Sequence, residues 1–140
     1  MISFSRRELT RAWRNADTAS VAASRSNSHR LLLFYAVECG LKAAYLKNRN
    51  KDASENEFSE MQHNLNRLMV ALCIGKDLLL PESLQLSSLR DSNRLDVSRN
   101  CGCGDLNQVW RYGGKLKQPD DKTLEEKLEA INAWLKKELQ

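Results

Sequence analysis

The chain has 140 residues, 41% hydrophobic and 29% charged, a balance that excludes a disordered chain and fits one domain with its own core. Its longest strictly apolar run, Leu31 to Val37, is far too short to span a bilayer, so no membrane association is expected. The net charge of +4 permits an anionic partner without demanding one.

The first residues, MISFSRRELTRAW, lack an apolar signal core after their charges, and a cytoplasmic protein is expected. They open a helix instead: Ser5 and Glu8 have capping-box spacing, and Phe4 and Leu9 the spacing of a hydrophobic staple. Leu9, Trp13, Ala16, Ser20 and Ala23 then share one face. Arg7, Arg11 and Arg14 fall on the opposite face, either as a solvated helix back or as a basic ridge that meets phosphates.

The stretch SHRLLLFYAVECGLKAAYLKN, near residues 28–48, is apolar around most of a helical circumference, as a central buried helix is. Tyr35, Glu38, Lys42, Tyr45 and Arg49 fall on one narrow strip at 100° per residue, and Glu38 to Lys42 is the favourable order for an i,i+4 pair. Gly40 lies on the far side, where a glycine costs about 1 kcal/mol against alanine and implies close approach of another helix.

Residues 47–60 are polar without period and read as a loop. A third helix is expected over 64–74, with Leu65, Leu68, Met69 and Leu72 inward and Gly75 as its stop. LLLPESLQLSSLRD suggests a shorter helix entered at Pro81, residues 93–104 a loop, and Leu106, Val109 and Trp110 a short helix broken at Gly113 and Gly114. A last helix is expected from Thr123, with capping-box spacing to Glu126 and a stripe of Leu124, Leu128, Ile131, Leu135 and Leu139. No stretch alternates convincingly with period two. The expectation is an all-α bundle of four main helices plus short ones, in a single domain over 1–140.

Four cysteines and two histidines bear on metal and redox chemistry. Cys101 and Cys103 supply two ligands at tight spacing, but no second chelating pair exists, so no metal is expected. Cys39 and Cys73 read as small core hydrophobes, and a redox role for Cys101 and Cys103 is left open. His63 reads either as a helix cap or as a general base needing a partner such as Glu38 or Arg111. Neither nucleotide-binding glycine fingerprint is present, and no cofactor is expected.

LLLFYAVECGLKAAYL is similar to the second helix of HEPN-like domains (higher eukaryotes and prokaryotes nucleotide-binding), where a Tyr-x-x-Glu and a following Lys recur. QHNLNRLMVAL resembles their next helix, which often begins His-x-Leu, and WRYGG resembles an Arg-Tyr near their end. The resemblance implies a small helical bundle that dimerises, from a family acting on RNA in toxin–antitoxin, antiviral abortive-infection and CRISPR-linked systems, or binding nucleotides or partner proteins. Ribonuclease members carry an Arg followed four to six residues later by His. Here no histidine follows Arg111, which argues against cleavage.

The resulting expectation is a non-catalytic module binding RNA or a partner protein, with Glu38, Lys42, His63 and Arg111 clustered and Arg7, Arg11 and Arg14 as further binding residues. The alternative is a metal-independent endoribonuclease in which Arg111 steadies the transition state and His63 moves the proton. A third reading is a helical subunit with no nucleic-acid role, its polar cluster a structural ion-pair network.

Overall fold

A computed structural model describes residues 2–140. The first helix, α1 (Arg6–Ser20), starts at the expected capping box: Ser5 accepts from Glu8 N, and Glu8 accepts from Ser5 N. It buries Leu9, Trp13 and Ser20, so Ala23 lies beyond its end. The second, α2 (Asn27–Asn48), buries residues on nearly every side and is the central element. Each of its fully buried large side chains, such as Phe34 or Leu41, contributes about 1.5–3 kcal/mol.

Gly40 lets α1 and the last helix, α5 (Asp121–Glu138), close on α2. A Cβ there would stand 2.6 Å from Leu135 Cδ1 and 2.9 Å from Trp13 Cδ1. Trp13 Nε1 donates to Asn132 Oδ1 (2.7 Å), and Asn132 Nδ2 donates to Asp17 Oδ1 (2.8 Å), which ties α1 to α5 across the close approach. The cap of α5 is Asp120, accepting from Thr123 N at 2.8 Å, so the helix begins two residues before the expected Thr123.

The third helix, α3 (Leu65–Ala71), is shorter than expected. Asn64 caps its start, and its end is a Schellman turn on Cys73, whose φ of 57° is left-handed; Ile74 N donates to Met69 O and Cys73 N to Val70 O. The helix therefore stops before Gly75, and Cys73 is exposed rather than a core residue.

The all-α expectation is overturned between residues 83 and 118. β1 (Ser83–Arg90) and β2 (Asp96–Gly102) form an antiparallel hairpin where a short helix and a loop were expected. β3 (Leu116–Gln118) adds to β1, giving the order β2-β1-β3. The protein is an α plus β fold. Leu84 and Leu86 do alternate toward the core, but the register shifts between Leu86 and Leu89, and that irregularity hides the period from sequence. The turn is set by Asp91, whose side chain accepts from Asn93 N and Leu95 N, both at 2.9 Å. Between β2 and β3 runs α4 (Leu106–Arg111), which ends as expected at Gly113, in the left-handed conformation with φ of 77°.

Among the described residues no helix is long and apolar enough to cross a membrane.

Candidate functional site

The strip on α2 is real, and two other segments dock on it. Glu38 is almost fully buried, its side chain 8% exposed. His63, 49% exposed, lies against it, with Nδ1 2.8 Å from Glu38 Oε2. A carboxylate can only accept, so Nδ1 carries the proton and Nε2 is the ring nitrogen left for another partner. Lys42 Nζ stands 3.8 Å from the same carboxylate oxygen and 5.4 Å from the centre of the Phe58 ring.

His63 is aimed by the backbone. The turn before α3 ends at Gln62, which has a φ of 49°, a strained position for a residue with a side chain. Asn64, not His63, caps α3, which removes the capping reading of His63. His29 is accounted for elsewhere: its Nδ1 accepts from Ser26 N at 3.2 Å at the start of α2.

Arg111 joins the strip from the end of α4. Its Nη2 donates to the Tyr35 hydroxyl, and its guanidinium carbon lies 6.0 Å from the centre of the Tyr35 ring. Hydrogen bonds to Tyr35 and then Tyr112 push its pKa upward, so the exposed guanidinium stays cationic. Tyr35 precedes Glu38 by three residues, about 4.5 Å along the helix axis. No direct bond between Arg111 and the Glu38–His63 pair occurs among the described residues; the two share the strip through Tyr35 and Glu38, one turn apart on α2.

The far end of the strip carries Arg49, whose guanidinium lies 4.8 Å from the Tyr45 ring centre, and Tyr45 meets Phe58 edge to face at 5.7 Å. Phe58, not singled out in the sequence, thus belongs to the site, and Gln62, the first residue of QHNLNRLMVAL, supplies its turn. The polar surroundings of Phe58 carry no period that would mark it. Neither Arg49 nor Arg111 pairs with a carboxylate among the described residues, so the strip holds surplus positive charge beside one buried anion.

Arg7, Arg11 and Arg14 are exposed on α1, whose Trp13 packs at Gly40 on the far side of α2 from Glu38, and none of the three bonds a residue of the strip among the described residues. The ridge is present and is not part of the strip.

Among the described residues no group of three or more His, Cys, Asp or Glu is placed to hold a metal ion. Burial pushes the Cys39, Cys101 and Cys103 thiols above the usual range, away from the reactive thiolate.

A denser charge cluster escaped the sequence reading. Arg30 Nε donates to Glu125 Oε1 at 2.6 Å, Arg25 pairs with Glu129 and lies 3.7 Å from Glu125, and Lys122 stands 3.6 Å from Glu125. Asp121 accepts from Trp110 Nε1 (2.9 Å) and Leu116 N (3.2 Å), and Asn27 Nδ2 donates to Gly114 O (3.0 Å). Lys122 and Glu125 are i,i+3 neighbours on α5, but Arg25 and Arg30 are about a hundred residues from their partners, and no spacing rule reveals those pairings.

Comparison with known protein families, with curated proteins and with solved structures finds no match. The functional reading therefore rests on the geometry above and on the motif resemblance.

Proposed function

We propose that the protein is a HEPN-like binding module, its helices carrying an added β-hairpin, that engages an RNA backbone along the α2 strip. As the resemblance implies, it works in a bacterial defence or toxin–antitoxin assembly. The observation that supports this most is the pairing of a cationic, exposed Arg111 with a half-exposed His63 on one face, each held from behind by a partner on α2. A guanidinium and an imidazole presented this way suit phosphate oxygens.

The Glu38–His63 pair favours a second reading, a metal-independent ribonuclease. Glu38 fixes the imidazole tautomer, Nε2 of His63 would take a proton from a ribose hydroxyl, and Arg111 would stabilise charge on the phosphorus oxygens.

One set of experiments separates these readings. A gel-shift titration with RNA weakens as salt rises and weakens about tenfold in Arg111→Ala if the strip binds phosphate, a loss of about 1.4 kcal/mol. Incubation with RNA in a metal chelator leaves the RNA intact if the module only binds. Cleavage abolished in both Arg111→Ala and His63→Ala would replace the binding reading with the nuclease. No shift at any salt would turn the search to a protein partner.

A further inference from the structure

The hairpin carries a surface that the strip does not use. Cys103 N donates to Glu82 O (3.3 Å), Asp91 N donates to Leu95 O (2.9 Å), and Cys101 and Arg99 lie opposite Leu84 and Leu86. Odd-numbered residues of β2 therefore bond β1, and the N–H and C=O groups of Ser98 and Asn100 point outward from the edge of the sheet.

The odd-numbered side chains share the face of Leu84, and along this face the cover runs out. Leu84 is fully buried, whereas Leu89, Val97 and Leu95 are 55%, 45% and 64% exposed. Between this face and α4 lies a groove of about 560 Å³, lined in part by Leu86, Arg99, Cys101, Val109 and Tyr112.

Unpaired edge strands are ordinarily guarded by proline, lysine, a presented charge or a bulge. Here β2 has no proline or lysine, the bulge is in β1, and the one acidic residue of β2, Asp96, stands 3.8 Å from Arg90 Nε at the hairpin end of the strand. Its one arginine, Arg99, is turned back onto Ser87 O, with Nε at 3.0 Å and Nη2 at 2.8 Å. An edge that carries a charge only at its hairpin end, beside an apolar row and a groove, suits an incoming strand.

We propose that β2 pairs antiparallel with β2 of a second copy, about a two-fold axis at Ser98. In this register Ser98 faces Ser98, and Asp96 faces Asn100. Val97 of one copy falls beside Arg99 of the other, and Leu95 beside Cys101, both on the groove face. Each copy thus lays its two exposed apolar side chains into the other's groove, against Leu86, Val109 and Tyr112. An axis one residue later would set Arg99 against Arg99. The two-fold arrangement joins two three-stranded sheets into one and closes the β2 edges.

This proposal is independent of RNA binding, and its test reads only oligomeric state. Sedimentation of the wild-type chain should give a dimer, and Val97→Asp a monomer with an unchanged circular dichroism melt. In a Cys73→Ser background, Ser98→Cys should form a disulfide-linked dimer without reductant, because an outward-bonded pair brings the two Cα atoms to about 5.5 Å. Asn93→Cys, at the turn, should not. A monomeric wild type, a dimer that survives Val97→Asp, or a cross-link from residue 93 rather than 98 would overturn the pairing.

Discussion

Two charged clusters flank the same central helix, and they are built to different ends. Around Glu125, one buried carboxylate meets Arg25, Arg30 and Lys122, while Asp121 takes the Trp110 indole and a backbone amide. Nearly every strong group there points at another group of the chain. Around Glu38, one buried carboxylate meets an imidazole and a lysine at 3.8 Å, and His63 on Glu38 and Arg111 on Tyr35 are both exposed. The first arrangement joins α2, α4 and α5; the second leaves side chains exposed, as the proposed binding role requires.

The sharpest way to break this contrast is to remove the anion of the closed cluster. Glu125→Ala strips Arg25 and Arg30, whose side chains are only 12% and 20% exposed, of their shared partner and should cost about 3–5 kcal/mol in urea unfolding. A loss under about 1 kcal/mol would mean that this cluster is as open to water as the strip. Gly40→Ala should cost about 1–3 kcal/mol through collision with Leu135 and Trp13, against the gain that helix propensity alone predicts. A stabilised Gly40→Ala in thermal melts would show that α1 and α5 are free to move apart.

These two regions were unequally legible in the sequence. The Ser5–Glu8 box, Gly40 as a helix contact and the Glu38–Lys42 strip rest on local spacing, and local spacing survives folding. His63 meets Glu38 across 25 residues, after a left-handed Gln62, and Arg30 meets Glu125 across 95; neither fact has a local signal. The hairpin was missed because leucines and serines carry little strand preference and the bulge shifts Leu89 out of alternation with Leu86. Cys73 likewise hid the end of α3, since a left-handed cap is ordinarily read from glycine.

That last residue offers a smaller effect of opposite sign. Cys73→Gly relieves the left-handed strain at an exposed position and should raise stability by about 1 kcal/mol, measured by urea midpoint. A destabilised variant would mean that the Cys73 side chain contributes packing.

A pH effect is expected in the loop that supports the far end of the strip. Lys51, hydrogen-bonded to Glu57, holds the Glu57 carboxyl at about 2, well below its ordinary 4.5. The folded value is depressed, so this contribution is complete above pH 4.5 and is lost as pH falls toward 2. Amide exchange over residues 51–58 should therefore quicken through that window while α2 stays protected. Lys51→Met should shrink the pH dependence, leaving the part that comes from the Glu55 N–H donating to Glu57.

The smallest change in stability belongs to the residue with the largest proposed role. Arg111 is exposed and pairs with no carboxylate among the described residues, so Arg111→Ala should unfold within about 0.5 kcal/mol of wild type. RNA affinity of this variant, measured by titration at fixed low salt beside the wild type, tests the central claim most directly. The account predicts about a tenfold loss with a flatter salt dependence. Equal affinity and equal salt slope in the two proteins would contradict it and take the strip out of RNA binding.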